Sequence, residues 1–284
     1  MQMTWRAAIA AGFLAGTARA GHAQIDYRNL DDDRPVRVED AYPVERFAFE
    51  FLLPYAVERG RGGAVHHAVL PELEYGLLRN FQLGLKLPLV AADTGGAATT
   101  RGLSGLRAFA LYNLNTEGPA LPAVSVRLDG YAPVGVLGGD GARGSVKVIA
   151  TRSFGRNRIH VNGSYGFGDF DTRALVEGGE RWWYGAALDR TLFRQNVLLV
   201  AETYALRGSD AEPVQVSASL GFRWQWTATT VLDAGISRIL DSSRDPEVAF
   251  TLGLSHAFAV RALMPRGRPA PTTPPGGSDA PHRH

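Results

Sequence analysis

The sequence predicts an all-β fold, a transmembrane antiparallel up-and-down β-barrel of about 12 strands. Hydrophobic residues make up 45% of the 284 residues, yet the longest uncharged, mostly apolar run is Ala7–Ala18. This run is shorter than the roughly 18 residues that a membrane-spanning helix needs. Apolar residues instead alternate with polar ones over long stretches. The connections between these stretches are alternately short and long, as in barrels that span a membrane.

Composition excludes several other classes of fold and function. The 33 glycines are about 12% of the chain, against roughly 7% in an ordinary protein. The absence of cysteine excludes disulfide-built and cysteine-zinc folds. The pI is about 9.0, but residues 24–260 hold 24 basic and 27 acidic side chains. Nucleic-acid binding would require a clustered basic face, and the near-neutral body shows none.

The two ends of the chain differ from its body. Residues 1–23 resemble a secretory signal peptide, with Arg6 before an apolar stretch and small residues that allow cleavage after Ala20 or Ala23. We expect cleavage after Ala23; the alternative is a short membrane anchor. Residues 261–284 hold six prolines without apolar periodicity, which predicts a disordered tail.

Residues 24–44 form a polar N-terminal segment rich in acids, including Asp31, Asp32 and Asp33. We expect an extended leader into the fold. The alternative is a segment that is tucked into a barrel lumen or binds a cation.

The strand pattern is clearest at residues 214–226. Val214, every second residue after it and Trp226 are apolar, whereas the intervening residues are polar or glycine. A period of two indicates a strand. Thirteen residues exceed a usual globular strand but fit a tilted membrane-spanning strand of roughly 9–11 residues plus its ends.

Similar patterns recur from residue 45 to residue 260 and give about twelve strands. Five connections are expected to be short, and three of the others reach 11 or 12 residues. Short turns face the periplasm and long loops face outward in such barrels. Closure is required, because an open sheet edge would leave backbone groups unpaired in lipid. The predicted location is therefore the outer membrane of a Gram-negative bacterium.

Aromatic residues and the last strand suggest membrane placement and assembly. Tryptophans near strand ends suit interfacial girdles: Trp182, Trp183, Trp224 and Trp226, together with Phe258. The last strand ends with Gly253 and Phe258 in a pattern that resembles the signal read by the barrel assembly machinery. Outer-membrane lipid and that machinery are the expected partners.

Several stretches in order resemble the outer-membrane protein family of the meta-pathway of phenol degradation, whose members are described as transporters. The matching stretches are Arg37–Ala41, Pro71–Gly76, Leu83–Leu89, Gly102–Arg107, Ala150–Phe154 and Ile159–Asn162. The resemblance spans roughly residues 37–258. It implies a barrel that passes small compounds, hydrophobic or aromatic ones among them.

Twelve charged residues on inward faces are predicted to line the lumen: Glu50, Glu72, Glu74, Lys86, Arg107, Arg127, Asp129, Lys147, Asp189, Glu202, Arg223 and Asp233. Their signs are interspersed along the chain. Mixed charges in a barrel of this width would pair across it, which favours a narrow or gated channel without strong ion selectivity. The alternative is that the charges only fill and stabilise the lumen.

Two rival classes remain. Some barrels hydrolyse lipids, and His160, Asn162 and Ser164 share one strand face, but residues four apart on a strand lie about 13 Å apart. A soluble periplasmic β-barrel that binds a ligand would place apolar residues inside. We expect no enzyme activity, no cofactor and no metal site, with a small-molecule solute as the partner.

Overall fold

The computed structural model describes residues 20–21, 24–60, 63–93, 99–168, 180–192, 195–208, 212–240 and 248–264. Most of the predicted signal peptide and residues 265–284 of the predicted tail lie outside these described residues. At the start of the tail, Arg261–Leu263 form a short 3-10 helix. No helix within the described residues is long and apolar enough to cross a membrane.

Twelve strands form the barrel, as predicted, and the first four are each divided by a break. These four are β1 (Ala48–Leu52 and Tyr55–Arg59), β2 (Val65–Val69 and Glu72–Leu78), β3 (Phe81–Lys86 and Leu89–Asp93) and β4 (Thr100–Leu103 and Leu106–Asn115). The continuous strands are β5 (Ala123–Ala132), β6 (Arg143–Phe154), β7 (Asn157–Gly168), β8 (Trp182–Thr191), β9 (Val197–Arg207), β10 (Gln215–Thr227), β11 (Thr230–Ile239) and β12 (Val248–Val260).

The barrel closes between its last and first strands. Phe258 of β12 lies opposite Phe49 of β1, and Phe250 lies opposite Val57. Every other strand pairs antiparallel with its neighbours in the sequence. Closure gives each strand two hydrogen-bonded partners, which is what a lipid environment demands.

The connections alternate in length. Five at one end of the barrel hold two to seven residues, and six at the other hold five to thirteen. By the usual convention the first end faces the periplasm. The connection 116–122 is two residues longer than the predicted maximum of five, because β5 begins at Ala123.

Three prolines cause the breaks in the first three strands: Pro54, Pro71 and Pro88. Proline lacks an N–H and cannot donate to the ladder. Its carbonyl still accepts a bond from the next strand, as from Leu70 N to Pro54 O at 3.0 Å and from Leu87 N to Pro71 O at 2.9 Å. The breaks therefore interrupt these strands without opening the wall.

The outward face of the barrel is apolar, and the inward face is polar. Leu188, Leu220 and Phe250 are more than half exposed, whereas Lys86 and Arg223 are fully buried. This distribution is the reverse of that in a soluble barrel, because only lipid favours an apolar exterior of this extent. The soluble alternative is therefore excluded.

The aromatic girdle forms only in part. Trp224 and Trp226 are 40% and 61% exposed, in agreement with a place at the membrane interface. Trp183 is buried, and the guanidinium of Arg37 lies 5.0 Å from its ring. The girdle prediction is wrong for Trp183, because adjacent residues of a strand point to opposite faces and Trp182 takes the outer one.

Residues 24–46 do not form an extended leader; they run into the lumen and back, and we call them the plug loop. The loop enters at the short-turn end, where Ile25 N donates to Ala228 O. It reaches its far point near Arg37, which pairs with Glu180 at 2.6 Å beside the long connection before β8. It then returns to the start of β1 at Ala48.

Candidate functional site

All twelve charged residues singled out in the sequence lie buried in the barrel interior, each no more than 6% exposed. Two more bases, Arg143 and Arg158, are buried there as well. Alternation along β7 could have identified Arg158, which lies two residues before His160 on the same face. Arg143 was missed because the sequence analysis placed it in a loop.

The signs of these charges were expected to be interspersed. Around the barrel they are instead segregated. Among the buried charged residues that the structure describes, strands β3–β7 carry six bases and one acid. We call this set the basic arc: Lys86, Arg107, Arg127, Arg143, Lys147 and Arg158, with Asp129. Because consecutive strands are neighbours in the wall, order along the chain becomes order around the barrel. The bases between Lys86 and Arg158 therefore gather on one side, with Asp129 and Arg223 as the exceptions in the two sets.

The remaining strands, β8–β12 with β1 and β2, carry the opposite charge. Their buried charged residues are six acids and one base, which we call the acidic arc: Glu50, Glu72, Glu74, Asp189, Glu202 and Asp233, with Arg223. The two arcs face each other across the lumen, with the plug loop between them.

Four carboxylates of the plug loop meet the basic arc. Asp32 lies 2.6 Å from Arg107 and 2.8 Å from Lys147. Glu39 lies 2.6 Å from Arg127 and 3.0 Å from Lys147. The others are Asp33, 3.3 Å from Lys86, and Asp40, 3.2 Å from Arg158. Apart from the partly exposed Asp33, the members of these ion pairs are buried, so the pairs are screened little by salt.

The plug loop relieves repulsion within the basic arc. Lys86 lies opposite Arg107 in the ladder, and Arg127 lies opposite Lys147. Like charges opposite each other destabilise a sheet unless anions intervene. Burial by itself would raise the pKa of Asp32, which is on the loop and not on a strand, but the surrounding cations hold that pKa well below its usual value.

On the acidic arc the loop presents Arg34. Its guanidinium lies 3.4 Å from Asp233 and 3.9 Å from Glu50. Glu202 accepts hydrogen bonds from the backbone N–H groups of Arg37 and Val38, both at 2.8 Å. The loop is therefore complementary to both arcs, with acids toward the bases and a base toward the acids.

Neutral lumen side chains bind the returning backbone of the loop. Asn162 exchanges two hydrogen bonds of 2.9 Å with the backbone of Glu39. Gln82 accepts from Val44 N at 2.7 Å. Asn113 donates to Ala41 O at 2.8 Å. A backbone inside a barrel needs such partners, because each unpaired buried group is costly.

Inward glycines make room for the tip of the loop. A Cβ on Gly235 would lie 2.1 Å from Pro35 O, and one on Gly221 would lie 2.6 Å from the Pro35 ring. A Cβ on Gly253 would lie 2.1 Å from the Asp233 carboxylate. Part of the glycine excess thus serves close approach of backbone and side chains inside the lumen.

Among the spaces lined by described residues, two cavities in the barrel interior lie on opposite sides of the plug loop. The outer cavity has a volume of about 290 Å³, with Pro35 and Val36 of the loop in its lining together with Leu70 and Tyr204. The inner cavity has a volume of about 220 Å³ and lies by the loop's entry, with Ile25 and Glu50 in its lining. The loop is what separates them.

The residues considered for hydrolysis do not form a serine site. His160 contacts Asp189 through Nε2 at 2.9 Å and Thr151 through Nδ1 at 3.0 Å. Both ring nitrogens are therefore engaged by residues other than Ser164. Thr151 also accepts from Ala41 N of the plug loop at 3.0 Å. This hydroxyl is fully buried and already bonded on both sides.

Phe258 of the predicted assembly signal stacks on Phe49 with ring centroids 5.3 Å apart. The pair lies at the closure of the barrel, opposite in the β1–β12 ladder. Recognition by the assembly machinery stays a prediction.

The chain matches no family model and no curated protein. It is similar in structure to an outer membrane channel from Pseudomonas putida F1, at 17% identity and a TM-score of 0.58, over 78% of this chain and 100% of that chain. It is also similar to the KdgM porin in complex with disordered oligogalacturonate, at 9% identity and a TM-score of 0.52, over 73% and 98%. The translocator domain of the autotransporter NalP from Neisseria meningitidis is 10% identical with a TM-score of 0.50, over 88% and 94%.

These likenesses show the fold of outer-membrane barrels. The resemblance to the family of the meta-pathway of phenol degradation stays a resemblance, since no family model supports it.

Proposed function

We propose that the protein is an outer-membrane channel for small compounds and that the plug loop is its gate. The observation that carries the proposal is the pair of cavities at opposite ends of one lumen, separated by the loop. Displacement of the loop would join the two cavities into one path.

The outer cavity supports a solute that is small and partly hydrophobic. Its volume of about 290 Å³ is near the lower limit for sites that bind small molecules. Apolar and polar side chains share its lining, with Val36, Leu70, Val90 and Ile236 among the apolar ones. An aromatic compound that carries a polar group fits this mixture.

A channel is favoured over a lipid hydrolase by the hydrogen bonds around His160. A serine hydrolase needs a hydroxyl within reach of its base and open to substrate. Thr151, the hydroxyl beside His160, is fully buried and is covered by the plug loop. Folded protein should therefore release no fatty acid from phospholipid.

The gate can be tested with a reversible lock between the loop and the wall. A Cβ on Gly185 would lie 3.1 Å from Val38 Cγ2 and 2.8 Å from Tyr204 Cβ, so the wall must shift slightly to accept it. In a disulfide the Cβ of one cysteine lies about 3 Å from the sulfur of the other, given the usual S–S bond length. The chain has no cysteine of its own, so Val38→Cys with Gly185→Cys forms one defined crosslink.

Single-channel conductance in a planar bilayer is the measurement. We expect the oxidised double variant to stay closed and the reduced protein to recover the openings of the wild type. Each single-cysteine variant, measured in the same two redox conditions, is the matched control and should not respond. Equal conductance in the oxidised and reduced states would refute the gate. Silence of a correctly folded wild type would refute the channel.

The apolar outer face supports contact with outer-membrane lipid, and the likeness to outer-membrane barrels supports that location. Export through the predicted signal peptide and insertion by the barrel assembly machinery belong to the same proposal. A shift on heating in detergent gels would report a folded barrel.

A further inference from the structure

Three carboxylates converge where the plug loop passes the acidic arc. Asp31 of the loop, Glu50 of β1 and Glu74 of β2 each offer an oxygen, and these oxygens lie within 4.8 Å of one another. Glu50 and Glu74 are direct partners in the β1–β2 ladder. Like charges in that position repel unless a cation or a proton lies between them.

The cluster includes oxygens that lack a partner among the described residues. Glu74 is 3% exposed, and its Oε2 has no hydrogen-bond partner. Glu50 is 2% exposed, and its Oε1 has none either, with the nearest cation, Arg34, at 3.9 Å. Buried carboxylate oxygens without partners are expensive, so they indicate a ligand that protein atoms do not replace.

The positive side chains around the cluster do not balance its carboxylates. Asp233 lies beside the three carboxylates through its contact with Arg34. Arg34 and Arg223 lie 2.5 and 3.1 Å from Asp31 and supply two positive charges against four negative ones. The ion pair of Glu72 with Lys86, at 3.0 Å, is neutral by itself. With all four carboxylates ionised, two negative charges remain, which equal the charge of one divalent cation.

The ligand set and its access fit calcium. Calcium prefers carboxylate oxygens at 2.3–2.6 Å, so two of its ligands can lie up to about 5 Å apart. The spacing in the cluster falls within that limit. Glu50 lines the inner cavity at the periplasmic end, which offers an entry path for a hydrated ion.

We propose that Asp31, Glu50 and Glu74 bind a divalent cation of the calcium type, which latches the plug loop to the acidic arc. The site joins two barrel strands to the loop, so the ion would be held only while the loop is in place. Binding would thereby lower the fraction of open channels. The latch rests on the proposed gating function, whereas the ion site itself does not. No metal site was expected from the sequence, where a cation was only an alternative for residues 24–44, because Asp31 joins the ladder partners Glu50 and Glu74 only through the inserted loop.

Isothermal titration of the full chain tests the site. The protein is folded in detergent, stripped with EDTA and titrated with calcium chloride. We expect one ion per chain for the wild type and at least tenfold weaker binding for Glu74→Gln, which keeps the shape of the side chain. Glu212→Gln is the matched control, because Glu212 lies in the connection between β9 and β10 at the long-loop end, away from the cluster. Its calcium affinity should equal that of the wild type.

Asp31→Asn tests the contribution of the loop and should weaken binding as Glu74→Gln does. All variants are checked for the heat-dependent gel shift, so loss of binding is scored only in folded protein. No binding by the wild type, unchanged affinity of Glu74→Gln, or equal loss in Glu212→Gln would overturn the site. Unchanged affinity of Asp31→Asn would overturn the latch.

Conductance separates this inference from the proposed function. Calcium should reduce the open probability of the wild type and leave that of Glu74→Gln unchanged. A protein that binds calcium yet never conducts would refute the channel and leave the ion site standing. A protein that conducts but binds no calcium would do the reverse.

Discussion

The basic arc and the acidic arc differ in how completely the plug loop neutralises them. Four loop carboxylates, from Asp32 to Asp40, contact bases of the basic arc at 3.3 Å or less. The acidic arc receives the guanidinium of Arg34 and also a further carboxylate, Asp31. The loop is thus anchored by direct ion pairs on one side and left with excess negative charge on the other. The ion pairs with the basic arc explain why the loop stays in the lumen. The excess negative charge at the acidic arc is where its position can be regulated.

The largest effect is expected for Asp32, the loop carboxylate that pairs with two bases of the basic arc. We expect Asp32→Asn to lower the free energy of unfolding by about 3–5 kcal/mol, because it removes the carboxylate that two buried cations, Arg107 and Lys147, share. The same variant should raise the open probability of the channel. Urea unfolding in detergent and bilayer conductance are the measurements. Asp26→Asn, at an exposed position near the start of the loop, is the control and should change neither quantity.

The stability difference between the wild type and Asp32→Asn depends on pH, because the pKa of Asp32 is lowered in the folded protein. A carboxyl with a depressed pKa stabilises the folded state fully above its unfolded pKa of about 3.9, and the contribution is lost as pH falls through the folded value. The stability gap between wild type and Asp32→Asn should therefore stay constant from pH 7 to about pH 5. It should shrink only below about pH 4. A gap that closes near neutral pH would contradict the assigned ion pairs.

A smaller effect is expected where the loop tip meets the acidic side. Gly235→Ala places a Cβ 2.1 Å from Pro35 O, which forces the tip to move. Overpacking of this kind costs about 1–3 kcal/mol. The measurement is unfolding together with conductance. Gly163→Ala on β7 is the control, because a Cβ there meets nothing within 4 Å. Equal effects of the two substitutions would contradict the close approach.

The smallest effect is expected for an ion pair outside both arcs. Glu117 lies 3.5 Å from Arg152 at a periplasmic turn, where both side chains are partly exposed. A double-mutant cycle with Glu117→Gln and Arg152→Gln should give a coupling energy of about 0.2–1 kcal/mol. A coupling energy as large as the stability loss expected for Asp32→Asn would show that burial between the arcs is not what makes the loop contacts strong.

Local pattern accounts for the part of the fold that the sequence predicts well. Alternation along β10 assigns Leu220 to lipid and Arg223 to the interior, and the structure places them there. The same rule places all twelve predicted charged residues inside. A period of two needs only neighbouring residues, so it can be read without knowledge of the partner strands. It failed at Trp183 only because two adjacent tryptophans were assigned to one girdle.

The site itself was less accessible to sequence reasoning. Residues 24–44 have no periodicity, and nothing in their composition separates a leader from a segment inside the lumen. The partners of Asp32 lie 75 and 115 residues away in the chain. Arg34 meets Asp233 from a distance of 199 residues. Such contacts depend on where the loop enters and how far it reaches, which no local window contains.

Alternation along each strand is enough to predict a closed barrel of about twelve strands with apolar residues outward and charged residues inward, because lipid imposes that alternation on every strand. The gathering of bases on β3–β7 and of acids on the other strands also follows from their order in the chain, because consecutive strands are neighbours. The place of the plug loop between the two arcs depends on the tertiary structure, because its contacts join distant parts of the chain. Closure of the wall sets which strands face each other, and the charge of the loop then has one orientation in which its acids meet bases. Asp31 is the exception, and the carboxylate cluster that it completes exists only in the folded protein.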